Sequence, residues 1–191
     1  MSLLGTGLHE IKHYEDALSV QEACLSLLRR HGAAEFTILG MQNNLAVTYE
    51  NLGRFEEALR LKLDVYSGSL KVNGIEHKDA LIAANNYAWG LIQLERFEEV
   101  KALLRKTMPV ARRVLGESHE LTFKLNWIYG RALYRGPAAT FEDRSEAVTT
   151  LEDAGRTARR VLGGAHPLAT SFESELLKSR AALRAREASN A

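Results

Sequence analysis

Cysteine is all but absent from this 191-residue chain: Cys24 stands alone, so no internal disulfide can form. A reducing, cytoplasmic setting is the expectation that follows. Proline is scarce as well, and its three positions, Pro109, Pro137 and Pro167, leave long stretches where a helix meets no interruption. No apolar run approaches the roughly 18 residues that cross a bilayer. The first residues, Met1, Ser2, Leu3 and Leu4, lack a basic stretch followed by an apolar one, so neither a membrane partner nor a secretion signal is expected. Neither sign of charge is in excess. With 25 basic against 24 acidic residues the net charge is +1, which argues against nucleic acid as a partner.

Catalytic signatures are missing too. There is no Gly-x-Ser-x-Gly, no glycine-rich phosphate loop ending in Gly-Lys-Ser/Thr, and no Cys-x-x-Cys. The acid pairs Glu56–Glu57, Glu98–Glu99 and Glu142–Asp143 are neighbours in sequence, so on a helix each pair diverges. No enzyme, no cofactor and no metal site are expected. Cys24 falls mid-helix near Ala17, Leu25 and Leu28, as a half-buried and inert thiol.

What the chain does have is 46% apolar and 26% charged residues at a mean hydropathy of -0.21, the balance of a folded chain. It also has a repeat. Tyr14-Glu-Asp-Ala17-Leu18, Phe55-Glu-Glu-Ala58-Leu59 and Phe97-Glu-Glu-Val100-Lys101 align at steps of 41 and 42 residues. A looser fourth copy separates Phe141 from Ala147 by three extra residues. Between these copies recurs Gly-x-x-His, at Gly74/His77, Gly116/His119 and Gly163/His166, stepping by 42 and then 47. A third landmark is Asn43-Asn44-Leu45-Ala46-x-x-Tyr49 against Asn85-Asn86-Tyr87-Ala88-x-x-Leu91. Three landmarks at one period define repeated units of two helices each.

Within a unit, Leu45, Ala46, Tyr49 and Leu52 form the apolar stripe of a first helix. Gly53 ends it, and Phe55-Glu56-Glu57 opens the second helix with acids where the helix dipole favours them. Small residues at Ala46, Ala88 and Gly130 allow close helix contact. Helices are expected at 14–30, 35–52, 55–72, 77–94, 97–115, 119–135, 144–162 and 167–187. The units are a partial first repeat over 1–32, a second over 33–74, a third over 75–116 and a fourth, with insertion, over 117–163. A capping helix over 166–187 and a frayed tail over 188–191 complete the array. The extra residues of the fourth unit are expected in the loop of Gly136 and Pro137.

The succession Asn-Leu-Ala-x-x-Tyr, Leu-Gly-Arg-Phe-Glu-Glu-Ala and Leu-Gly-x-x-His-Pro resembles the 42-residue tetratricopeptide repeats of kinesin light chains, over residues 4–170. The resemblance implies an all-α, right-handed superhelix of helix-turn-helix repeats, whose first helices line a concave face, and a non-enzymatic scaffold for protein partners. Leu4, Gly5 and Leu8 match a first helix that would be clipped, so the first repeat is expected to be partial and open to self-association.

On each first helix, the positions two before, two after and five after the Leu45-type slot share a face away from the stripe. They are Asn43, Val47 and Glu50 in the second unit, Asn85, Trp89 and Ile92 in the third, and Trp127, Arg131 and Tyr134 in the fourth. Asn51, Gln93, Lys124 and Arg135 flank them. Amides suit an extended peptide backbone, while tryptophan, tyrosine and arginine are interface anchors. The alternative is that Trp89 and Trp127 pack against a neighbouring helix. Lys124, Arg131 and Arg135 around two aromatics suggest a ligand peptide carrying an acid beside an aromatic, unless the arginines pair with Glu142 and Glu146 across the turn. His77, His119 and His166 occupy one slot per repeat, which suits loop or cap hydrogen bonding better than metal. His9, His13 and His31 are taken as surface residues. A repeat segment used for oligomerisation, or as the regulatory part of a larger protein, is the competing reading of function.

Overall fold

The computed structural model describes residues 3–190, with side chains from His13 to Ala188. The described residues form eight helices: α1 Leu3–Arg30, α2 Glu35–Asn51, α3 Phe55–Asn73, α4 Lys78–Gln93, α5 Phe97–Leu115, α6 Glu120–Arg135, α7 Phe141–Leu162 and α8 Pro167–Asn190. No strand occurs among the described residues, and the fold is an all-α helical repeat. No helix among them is long and apolar enough to cross a membrane.

The helices group into two compact units, one up to Gly74 and one from Ile75 onward. In the first, α2 packs between α1 and α3. Its core is Leu18 and Leu25 from α1, Leu45 and Tyr49 from α2 and Ala58 from α3, with Ile38, Met41, Leu52 and Leu61 against them. In the second, successive helices pack from α4 through α8, and the alternate helices α4, α6 and α8 also touch directly. Phe123, Leu125, Leu133, Leu151 and Phe172 are fully buried there.

The recurrent sequence landmarks each have a local structural cause. His77, His119 and His166 are the N-terminal caps of α4, α6 and α8. Their Nδ1 atoms accept from the backbone N–H of Asp79 at 3.2 Å, Leu121 at 3.1 Å and Leu168 at 3.2 Å. Each thereby satisfies one of the amides a helix start leaves open. The small slot is equally specific: a Cβ on Gly130 would stand 2.5 Å from Leu151 Cγ, so only glycine lets α6 and α7 approach this closely.

The turn between first and second helix needs a residue with left-handed backbone. Gly53 supplies it at φ +72°, but the third unit has Glu95 at φ 56°, a conformation costly for a residue with a Cβ. At the start of the chain no such turn forms. The residue in register with Gly53 is Lys12, a good helix former, and α1 runs unbroken where a clipped first helix and a turn are expected. Leu4, Leu8 and His9 belong to this helix, but their side chains lie outside the described residues, as does all of Met1, Ser2 and Ala191. The helix α8 continues through Asn190.

The five extra residues of the fourth unit divide between loop and helix. The loop 136–140 has five residues against three in 52–54, while α7 has 22 residues against 19 in α3 and in α5. The expectation of a start at 144 is corrected by a capping box. The Thr140 hydroxyl accepts from the Asp143 N–H at 3.0 Å, and the Asp143 carboxylate accepts from the Thr140 N–H at 3.1 Å.

Candidate functional site

In the second unit α4, α6 and α8 place their side chains around one open pocket of about 320 Å³. Asn85, Asn86 and Trp89 come from α4, Lys124, Trp127 and Ile128 from α6, and Leu168 and Ser171 from α8. The two tryptophans, the only ones in the chain, lie with ring centroids 6.0 Å apart at an interplanar angle of 30°. Arg131 stacks on both, its Cζ 4.8 Å from the Trp127 centroid and 5.7 Å from that of Trp89. The rings are half-buried, so they pack across neighbouring helices and line the pocket at once.

Arg131 is held from behind. Its Nε lies 3.8 Å from Glu175 of α8, a carboxylate that also accepts from the Tyr134 hydroxyl at 2.5 Å and from Lys178 at 3.0 Å. Glu175 is 5% exposed, so this is a buried network and not a surface pair. Burial, and then the carboxylate it donates to, push the Tyr134 phenol well above its ordinary range. The arginine therefore pairs with α8 and not with Glu142 or Glu146 across the turn. Glu146 instead accepts from Tyr129 at 2.8 Å. Lys124 is exposed and forms a 2.7 Å pair with Glu120 one turn away. Arg135 is exposed at the far end of α6, about three turns from Lys124, and Gln93 is exposed at the end of α4.

The slot five residues on does not face outward. Ile92 is 4% exposed and Tyr134 is 9% exposed, both spent inside the fold. Glu50, in the second repeat, is turned back onto Lys62, a lysine itself 4% exposed, in a short ion pair. Burial lowers the Lys62 pKa despite that partner. The cause is helical periodicity. At about 100° per residue the slot at +5 lies only about 40° from the small-residue slot at +1, where the next helix packs, whereas +2 lies about 100° away. In α2 the remaining expected positions are open: Asn43 is half-buried, and Val47 and Asn51 are exposed.

Asn86, Ile128, Leu168 and Ser171 are pocket residues that the slot rule omits. A signal for Ser171 was present in the chain. The 47-residue step that carries Gly116 to Gly163 also carries Lys124 to Ser171, which makes α8 a first helix with a face of its own as well as a cap.

A tetratricopeptide-repeat family model matches residues 37–113. Among curated protein sequences nothing matches the chain. Among solved structures it is similar to a protein from Podosopora anserina described as a kinesin light chain with nearly identical TPR-like repeats. That likeness has a TM-score of 0.77 at 20% identity and covers 97% of this chain and 87% of the other. A second crystal structure from that organism gives 0.74 at 20% identity over the same shares. BtubC from P. vanneervenii gives 0.59 at 15% identity, over 92% of this chain and 75% of its own. At these identities the neighbours establish the fold, an all-α helical-repeat array, within which residues 37–113 match the tetratricopeptide repeat.

Proposed function

We propose that the chain is a non-enzymatic scaffold that holds a peptide segment of a protein partner on the faces of its first helices. The observation that carries this reading is the Trp89–Trp127–Arg131 cluster at an open pocket to which three first helices contribute. Half-exposed tryptophan and arginine are costly to leave at a surface and are the residue types that dominate binding energy at interfaces. The ligand is an apolar or aromatic side chain within an extended segment, with acidic neighbours meeting Lys124 at the pocket and Arg135 about three turns further along α6. Arg131 stacks on the tryptophan rings and stiffens them, its charge being already matched by Glu175. The resemblance to kinesin light chains, whose repeats take peptides combining an aromatic with acids, supports the same ligand.

Both tryptophans sit in the site, so intrinsic fluorescence reports binding without a label. A peptide that is aromatic and acidic should change this emission and bind several-fold tighter than its lysine-substituted twin at low salt, the gap narrowing as salt rises. Equal binding of the twins at every salt concentration would remove the acid from the reading. Failure of any peptide from a displayed library to alter the emission, or to depend on Trp127, would remove the site.

Self-association is favoured by one separate observation. Val20 is 69% exposed and Leu27 is 53% exposed, seven residues apart on one face of α1. Sedimentation that returns a monomer at high concentration would count against it.

A further inference from the structure

The helix α1 carries two apolar stripes. Leu18 and Leu25 of the first are buried in the core of their unit. The second, Ala17, Val20, Cys24 and Leu27, is spaced by three, four and three residues and lies about 100° further round the helix. Val20 and Leu27 are 69% and 53% exposed there, and Ala17 and Cys24 are half-buried. That spacing is the seam of a coiled coil, a stripe that calls for another helix to cover it. The chain's own residues leave it open, because α1 packs on α2 and residues 3–12 continue the helix instead of folding back over this face.

Charge identifies the partner. Glu15, Asp16 and Glu22 make the seam acidic toward one end, and Arg29 and Arg30 make it basic at the other. Asp16 and Arg30 flank the seam on the side away from the core. Both are exposed, and neither has an ion pair among the described residues. We propose that the partner is a second copy of this chain, its α1 laid antiparallel along the same seam about a two-fold axis at Glu22. This rests on the self-association reading and specifies its face, direction and stoichiometry. The axis sets Ala17 against Leu27 and Cys24 against Val20, a smaller residue beside a larger one each time. The stripe is thus complementary to itself, as a two-fold interface must be. Asp16 of each copy then lies beside Arg30 of the other, so the contact is made twice. A parallel pair would lay the acidic ends together and the arginines together. The seam from Ala17 to Leu27 is only about 15 Å long, so the dimer is a weak one, with a Kd of about 0.1 mM.

Sedimentation equilibrium of the full chain at low salt, from about 10 µM to about 1 mM, brackets that value. Asp16→Arg and Arg30→Asp should each weaken the dimer about tenfold, because each turns two attractions into two repulsions. The double reversal, Asp16→Arg with Arg30→Asp, should recover the wild-type affinity to within about twofold. Val20→Glu, a charge set into the seam, should weaken it about thirtyfold. All three positions are exposed, and circular dichroism checks that each variant keeps its helicity. The lone Cys24 reports direction. In the antiparallel pair the two thiols are offset by four residues, about 6 Å along helices about 9 Å apart, which is beyond disulfide reach. Oxidation should therefore leave the wild type uncrosslinked, whereas a parallel pair would set Cys24 against Cys24 and join them. A Cys24 crosslink, a double reversal no tighter than either single change, or a dimer indifferent to Val20→Glu overturns this pairing and leaves self-association standing. A monomer at every concentration overturns both.

Discussion

The same three slots of the repeat lead to different ends in the two units. In α2 they hold Asn43, Val47 and Glu50, and the outward face remains that of a single helix, with Val47 and, further along, Phe36 projecting at 47% and 74% exposure. In α4 and α6 they hold Asn85, Trp89, Trp127 and Arg131, which meet across two helices and build a walled pocket with α8. A repeat provides positions, whereas a site requires outward side chains long enough to meet across neighbouring helices, as the two tryptophans do here. The unlike buried lysines tell a parallel story. Lys62 depends on Glu50 and has its pKa lowered by burial. For Lys101, burial acts to lower the value, but pairs with Glu98 and Asp143 outweigh it and raise it.

The largest effect expected from breaking this comparison is Lys101→Met, which takes the nearer cation from Asp143 at 9% exposure, leaving it the Thr140 N–H and Arg105 at 3.7 Å, and should cost about 2–3 kcal/mol in urea unfolding. Lys62→Met should cost about 1 kcal/mol or less, because the Glu50 it strands is 17% exposed and can rehydrate. The pH dependences share one sense and differ in their windows. For Asp143, burial acts to raise the carboxyl, but the Thr140 backbone N–H and Lys101 outweigh it and hold it low. Its contribution is therefore present above about pH 4 and is lost as pH falls through the depressed value, a loss that Lys101→Met should reduce. The lowered Lys62 likewise makes stability rise with pH, but in the alkaline window, as pH climbs toward about 10.5.

Next in size is binding. Trp127→Ala should weaken the selected peptide by about 2 kcal/mol, measured by calorimetry, while Val47→Ala changes it by less than about 0.5 kcal/mol. Comparable losses at both positions would mean that the two faces serve the ligand alike. Tyr134→Phe sharpens the lesson of the +5 slot. It leaves buried Glu175 without one donor and should cost about 1–2 kcal/mol of stability, yet leave peptide affinity unchanged. The smallest effect is a gain. Glu95→Gly relieves the left-handed residue at the third unit's turn and should stabilise by about 1 kcal/mol, or about 2–4 °C in Tm. No gain there would show that the surrounding turn imposes no strain on Glu95.

Helix number and capping histidines were legible in the chain because each follows from local chemistry repeated at a fixed step. A glycine in left-handed backbone, acids in a first turn and an imidazole at a helix start act within a few residues of themselves. Even the division of the fourth unit's insertion was written in the three added residues between Phe141 and Ala147. The exception was α1, where the repeat's register argues for a turn and the helix preference of Lys12 prevailed.

What the sequence could not decide is how the outward positions are used, since that depends on which atoms of other helices come within reach. Periodicity grouped Ile92, Tyr134 and Glu50 with Trp89 and Trp127. Packing against the adjoining helices drew the first three inward, and the contact of α4, α6 and α8 turned the others into a pocket. Local propensity sets a helix and its faces, but the identity of a face as core or surface is a property of its neighbours, and those are chosen only when the helices pack.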